Sequence, residues 1–195
     1  LVIQVIKSQK NPFHALFFFN WASNPQPNPN NYFHTRSCYV AITDILLSHS
    51  LFSMAFSLLH HSHRVSDFII ARFIKALGDR GDIRGAIHWF HYVKSFERGR
   101  CLSSYNSILG VLVRENQVDL TKAFYDQLVK EGVVIPDVYS YTTMIRGFCK
   151  MGMVVHARKV FDEMKCDPNL VTYNTVIVIK VTWRVPRGFY WIRLV

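Results

Sequence analysis

Apolar residues recur along this chain at helical spacing, in short blocks separated by turn-forming residues. In DFIIARFIKALG, residues 67 to 78, Ile70, Phe73, Ile74 and Leu77 fall at i, i+3, i+4 and i+7, which places them on one face of a helix. Ile108, Leu109 and Leu112 repeat the pattern, as do Met144, Ile145 and Phe148. After each block comes a small or turn residue (Ser50, Gly81, Asn116, Gly152) and then an apolar one (Phe52, Ile83, Val118, Val154). A second helical stretch follows, with Ala55, Ala86, Thr121 and Ala157 each one turn ahead of Leu59, Phe90, Tyr125 and Phe161. Small residues at such positions let two helices approach closely. The pattern therefore predicts helix, short turn, antiparallel helix, and then the same again.

The repetition is also visible as a phrase. LSSYNSIL (102 to 109), VYSYTTMI (138 to 145) and LVTYNTVI (170 to 177) align on Tyr105, Tyr141 and Tyr173, which are 36 and 32 residues apart. Ile70 takes the same place 35 residues before Tyr105, and Tyr39 does so 31 residues earlier, in a weaker copy. The chain thus divides into a lead-in at 1–35, copies at 36–66, 67–101, 102–137 and 138–169, and an incomplete copy at 170–195. One helix pair of this size cannot bury its own apolar face, so neighbours must stack into a continuous core. This predicts an all-α solenoid. In the lead-in, Asn11 is placed to cap, and Pro12 to open, a helix running FHALFFFNWA that covers the end of the stack, ahead of the breaker-rich SNPQPNPNN at 23 to 31.

Composition narrows the function classes. With 195 residues, half of them hydrophobic, the chain can build a sizeable core and is not of disordered composition. Lys and Arg number 23 against 13 Asp and Glu, and the net charge of +10 favours an acidic partner such as nucleic acid or an anionic membrane face. The four cysteines, Cys38, Cys101, Cys149 and Cys166, form no CxxC pair, so they are read as reduced thiols rather than as a metal knuckle or disulfide framework. The longest apolar runs, such as ALFFFNWA (15 to 22), fall well short of the roughly 20 residues a membrane-spanning helix needs, so no membrane insertion is expected. No signal-peptide pattern opens the sequence.

The phrase VTYNTVI (171 to 177), the run YSYTTMIRGFCKMGMVVHARKVFDEM (139 to 164) and the closing pairs PD (136 to 137) and PN (168 to 169) resemble pentatricopeptide repeats of the P type. The resemblance covers about residues 36 to 177 and is strongest from 102 onward. Tetratricopeptide repeats have a similar period, but their Trp, Leu-Gly and Tyr pattern is absent. The resemblance implies a right-handed α-solenoid that binds single-stranded RNA, one base per repeat, in organellar RNA metabolism. Two side chains per repeat would read the base: the residue after the motif aromatic and the residue that closes the repeat. Carried onto this sequence, these are Asn106 with Asp137, associated with uracil, and Thr142 with Asn169, associated with adenine. Asn174, in the incomplete copy, implies a pyrimidine and has no closing partner. Bases would lie between Ser103, Tyr139 and Val171, the second residues of these copies, with Tyr139 the best stacking surface at about 1–3 kcal/mol. With N-terminal repeats toward the 5′ end, the two complete pairs spell 5′-UA-3′. The family also implies other RNA-processing proteins as partners and a mitochondrial location, with the chloroplast as the alternative.

The earlier copies depart from this pattern. They carry Ala71 with Cys101 and Val40 with Ser66, which are not readable pairs and imply framework and sequence-blind contact. After Ile177 the motif gives way to VIKVTWRVPRGFYWIRLV, where Pro186 and the β-branched run from Val176 to Val181 oppose a second helix. We read this as a truncated or mis-spliced end. His60, His61 and His63 cluster, but without a carboxylate or cysteine at ligand spacing, so no metal is expected, and no cofactor motif is present. No Gly-rich phosphate loop, paired carboxylate motif or nucleophile elbow supports an enzyme. Tyr105 and Tyr141 hold packing positions, and Lys150, Arg158, Lys159 and Lys165 form a charged helix face. The alternative to RNA binding is a helical-repeat scaffold for protein partners, which the same surface allows.

Overall fold

The structure is a computed structural model that describes residues 1–24, 32–92, 102–132 and 134–182. These form eleven α-helices, and no strand occurs among the described residues. Helices α3 (Arg36–Ser48), α5 (Asp67–Gly78), α7 (Leu102–Arg114), α9 (Val138–Lys150) and α11 (Leu170–Thr182) begin at the first residues of the five copies. Their partners α4 (Phe52–His61), α6 (Ile83–Tyr92), α8 (Val118–Glu131) and α10 (Val154–Asp162) fold back against them. The first helices pack on one another in sequence, α3 on α5, α5 on α7, α7 on α9 and α9 on α11. The molecule is thus an α-solenoid with an inner ladder of first helices.

Each turn is made by a residue in the left-handed region: Ser50 (φ 66°), Gly81 (φ 75°), Asn116 (φ 56°) and Gly152 (φ 74°). Left-handed backbone reverses the chain in few residues, and glycine or asparagine adopts it at least cost. In each case the next residue's N–H reaches back five positions, as in Leu51 to the Leu46 carbonyl (2.9 Å) and Met153 to the Phe148 carbonyl (2.7 Å). The small residues of the second helices, Ala55, Ala86, Thr121 and Ala157, are fully buried. They allow the close helix contact that their spacing implied. Glycine serves the same end between first helices: a Cβ on Gly147 would lie 2.5 Å from the Val113 side chain, and one on Gly78 would run into that of Val111.

The core runs along the stack. One cluster joins Ile70, Phe90, Tyr105, Leu112, Phe124 and Tyr141 across successive copies, and a second gathers Ile6, Phe19, Ile42, Leu46 and Phe73 at the N-terminal end. Tyr105 and Tyr141 are buried, and Tyr105 donates from its hydroxyl to Glu131 (2.6 Å) at the end of α8. The motif tyrosine therefore ties a first helix to the end of its own partner.

One feature differs from the sequence expectation. The lead-in is a helix pair, not a single helix: α1 (Val2–Ser8) and α2 (Pro12–Ser23) pack on each other and both lie on α3. Asn11 caps α2 by accepting from the Phe13 N–H (2.8 Å), and Pro12 opens it. The first helix of the incomplete copy, α11, runs to Thr182 and packs on α9, with Val176 buried, and the second helix that the run from Val176 to Val181 and Pro186 were read as opposing would fall outside the described residues. Pro186, Cys101 and most of the breaker-rich lead-in segment lie outside the described residues.

Candidate nucleic-acid interface

The residue after each motif tyrosine lies in the first turn and a half of its first helix, and the closing residue immediately precedes the next first helix. Since first helices are neighbours, a reading residue from one copy meets the closing residue at the start of the next. Asp137 is the N-cap of α9, its Oδ1 accepting from the Ser140 N–H (2.8 Å), while the Asp137 N–H donates to the Ser140 hydroxyl (3.3 Å) in a capping box. The same Oδ1 lies 3.4 Å from Nδ2 of Asn106. Ser140 completes the junction from within: its Oγ stands 2.6 Å from Asn106 Oδ1 and 2.8 Å from Asp137 Oδ1. Asn106, Asp137 and Ser140 thus form one hydrogen-bonded unit joining α7 to α9.

The next junction is built the same way. Asn169 caps α11, its Oδ1 accepting from the Thr172 N–H (3.0 Å) and from the Thr172 hydroxyl (3.1 Å). Thr142 and Thr172 have their hydroxyl oxygens 2.7 Å apart. Thr172 bridges Thr142 and Asn169 through its hydroxyl. In both junctions the third residue of the following first helix, Ser140 or Thr172, is fully buried beneath the pair. Sequence reading missed these two. Their signal was the shared register, third residue of the copy, combined with a short hydroxyl side chain.

Exposure differs between the pairs. Asn106 and Asp137 are half-buried and Asn169 is exposed, whereas Thr142 is only 6% exposed and presents little beyond its hydroxyl. Asn174 is exposed, and the place of its closing partner lies beyond Thr182, outside the described residues. Of the expected stacking residues, Tyr139 is 60% and Val171 51% exposed, and Ser103 is half-buried. Phe68, the second residue of its own copy, stands in the register of Tyr139 and is flanked by the guanidinium groups of Arg36 (5.4 Å) and Arg72 (5.5 Å). Sequence reading also missed that aromatic, since its copy carries the unreadable pair Ala71 and Cys101. In the weakest copy Ser66 stands at the N-cap of α5 without a side-chain capping bond.

The charged residues divide between structure and solvent. Arg72 binds Asp44 in a two-pronged pair between α3 and α5, Arg114 pairs with Asp79 (2.5 Å) between α5 and α7, and Lys150 donates to the Arg114 carbonyl (3.1 Å). Arg158 and Lys159 sit in i,i+4 pairs with Asp162 and Glu163 along α10, each worth about 0.3–0.5 kcal/mol. Cys38, Cys149 and Cys166 are free thiols, and burial pushes the Cys149 thiol up to about 12, leaving it protonated and unreactive at neutral pH. Among the described residues no group of three His, Cys, Asp or Glu is arranged to hold a metal ion, and no helix is long and apolar enough to cross a membrane.

The PPR repeat family matches residues 100–150 and 136–178. Two pentatricopeptide repeat-containing proteins of Arabidopsis thaliana are each 28% identical to this chain, over 153 and 184 residues. Those alignments cover 76% and 90% of this chain but 23% and 38% of the relatives, so the chain spans well under half of their length. Relatives at 25% and 27% identity from the same plant are named as mitochondrial and chloroplastic, respectively. The crystal structure of the maize pentatricopeptide repeat protein PPR10 superposes with a TM-score of 0.67 at 16% identity, covering 94% of this chain and 26% of that one.

Proposed function

Since the chain belongs to the pentatricopeptide repeat proteins, we propose that it binds single-stranded RNA and reads one base at each of two adjacent junctions, Asn106 with Asp137 and Thr142 with Asn169. The observation that carries this reading is what the two junctions on neighbouring helices share: a closing residue that caps the next first helix and a buried third-position hydroxyl that bonds both members of the pair. In each, one atom of the closing residue is consumed by capping and the other is left over: Oδ2 of Asp137 and Nδ2 of Asn169.

That leftover atom accounts for the choice of base. Facing the ring nitrogen of a Watson–Crick edge, Asp137 Oδ2 accepts from uracil N3–H, whereas the bare N3 of cytosine would meet a like acceptor. Asn169 Nδ2–H donates to the bare N1 of adenine, and guanine N1–H would oppose it donor to donor. The reading residue sets size and offers the base edge a second polar group. Asn106, the longer and less buried of the two, leaves room for a pyrimidine, while the short, sunken Thr142 leaves room for a purine. The pairs then spell 5′-UA-3′.

Helix spacing favours a single strand. Packed helices lie about 8–10 Å apart, whereas successive bases in a stacked strand rise about 3.4 Å. Bases at successive junctions are therefore unstacked, and Ser103, Tyr139 and Val171 occupy the intervals. Tyr139 replaces the lost base stacking, and the +10 charge supplies a sequence-blind attraction to phosphate. The function is binding rather than catalysis, in organellar RNA metabolism, with relatives named for mitochondria and for chloroplasts both supporting an organelle and the mitochondrion as our choice. The test is a titration at fixed salt with a UA-containing oligonucleotide, alone and annealed to its complement. Preference for the single strand is expected, and equal affinity for both would overturn the reading in favour of a protein-binding scaffold.

A further inference from the structure

Ser140 and Thr172 hold the two junctions together from beneath. Each is fully buried, and each bonds both members of the pair above it. Capping alone does not require this. The backbone N–H groups of Ser140 and Thr172 already satisfy the Oδ1 atoms of Asp137 and Asn169, so a residue without a hydroxyl would keep that arm of each cap and lose, at Ser140, only the 3.3 Å bond from the Asp137 N–H. The hydroxyls do something further.

At the first junction the one proton of the Ser140 hydroxyl faces Asn106 Oδ1 at 2.6 Å, the shorter of its two acceptor contacts, which sets the amide with Nδ2 toward Asp137 Oδ1 (3.4 Å) and its second N–H as the donor offered to a base. An asparagine amide has two chemically opposite ends of nearly equal size. Without the hydroxyl, only the 3.4 Å approach of Nδ2 to Asp137 Oδ1 opposes a half-turn that would present an acceptor instead. At the second junction the Thr172 hydroxyl donates to Asn169 Oδ1, which can only accept. The proton between Thr142 and Thr172 must then come from Thr142, leaving its outward face as acceptor. The third-position hydroxyl therefore fixes proton order at both sites. By the same register Ile69 lies beneath Val40 and Ser104 beneath Ala71, and neither Val40 nor Ala71 has a side-chain polar group to orient.

We propose that Ser140 and Thr172 are positioning residues for base selectivity: they set the donor or acceptor face shown by Asn106 and Thr142 without touching RNA. This rests on the base-reading function above. The experiment titrates the whole chain and its variants at fixed salt against oligonucleotides carrying UA, CA or UG in one context. Ser140→Ala should lower the UA over CA preference by about threefold to tenfold, the worth of one hydrogen bond, and leave UA over UG unchanged. Thr172→Val, which keeps the side-chain shape, should do the reverse. Ser140→Thr restores a hydroxyl and should restore the UA over CA preference. A wild-type protein that prefers UA, with variants that keep both preferences or lose both together, overturns the positioning role and leaves base reading standing. A wild-type protein indifferent to all three sequences overturns base reading itself, and the positioning role with it. Should Ser140→Ala fail to fold, Thr172→Val decides the matter alone.

Discussion

Replacing Asn169 by aspartate changes one atom of chemical consequence. Oδ1 of Asn169 caps α11 through the Thr172 N–H (3.0 Å) and hydroxyl (3.1 Å), and aspartate offers the same oxygen. Asparagine and aspartate are equivalent N-caps, and a carboxylate at a helix start gains about 0.3–1 kcal/mol from the helix dipole. The Asn169→Asp protein should therefore melt no lower than the original. The other atom changes from an amide donor to a carboxylate acceptor, so adenine N1 now meets a like group while guanine N1–H gains a partner. A well-formed base contact discriminates by about 1–3 kcal/mol. Because only two junctions are readable, the lower half of that range applies, or roughly a tenfold change. Titrations of both proteins against oligonucleotides carrying UA or UG, at one salt concentration, should show the preference moving from UA toward UG. The reasoning fails if the two proteins rank UA and UG alike, and its capping part fails if the variant is less stable.

Three further outcomes follow from the fold. His34 donates from Nε2 to the Phe19 carbonyl (2.7 Å) and stacks on the Phe19 ring, while its buried Nδ1 has no partner, and burial holds its pKa below the ordinary imidazole value. The unfolded chain then takes up the proton first as pH falls, so His34's contribution is fully present above about 6.5 and lost below it; the melting temperature should drop between pH 7.5 and 5.5, and drop less in His34→Gln, an equal drop refuting the assignment. Gly147→Ala should cost about 1–3 kcal/mol in urea unfolding, because its Cβ would press on Val113, whereas Gly110→Ala, in open space within α7, should gain about 0.8–1 kcal/mol; equal stabilities would show that the helices can shift. Tyr139→Ala should leave stability within about 0.5 kcal/mol and weaken every RNA by about 1–3 kcal/mol, and unchanged binding would remove Tyr139 from the interface.

Much of the solenoid was legible because its determinants are local and recur. Ser50, Gly81, Asn116 and Gly152 mark turns that require left-handed backbone, and Ala55, Ala86, Thr121 and Ala157 mark buried contacts one helix further on. The helix α1 was not legible. VIQVIKS is short, its apolar residues fit strand as well as helix, and only its packing on α3, where Ile6 is buried, settles the matter. At the candidate site the family register pointed to Asn106, Asp137, Thr142 and Asn169. It did not point to Ser140 and Thr172, since their bonds to Asn106 and Thr142 join residues 34 and 30 apart, a proximity created by helix stacking alone.

The central claim, that two adjacent junctions each read one base, is tested most directly by selection of the whole chain against a pool of single-stranded RNA with randomised positions, sequenced before and after binding at physiological salt. The account predicts enrichment of the step 5′-UA-3′ above all other dinucleotides, with flanking positions contributing little. A bound pool with the same dinucleotide frequencies as the starting pool would contradict it, leaving the basic surface to hold RNA by charge alone.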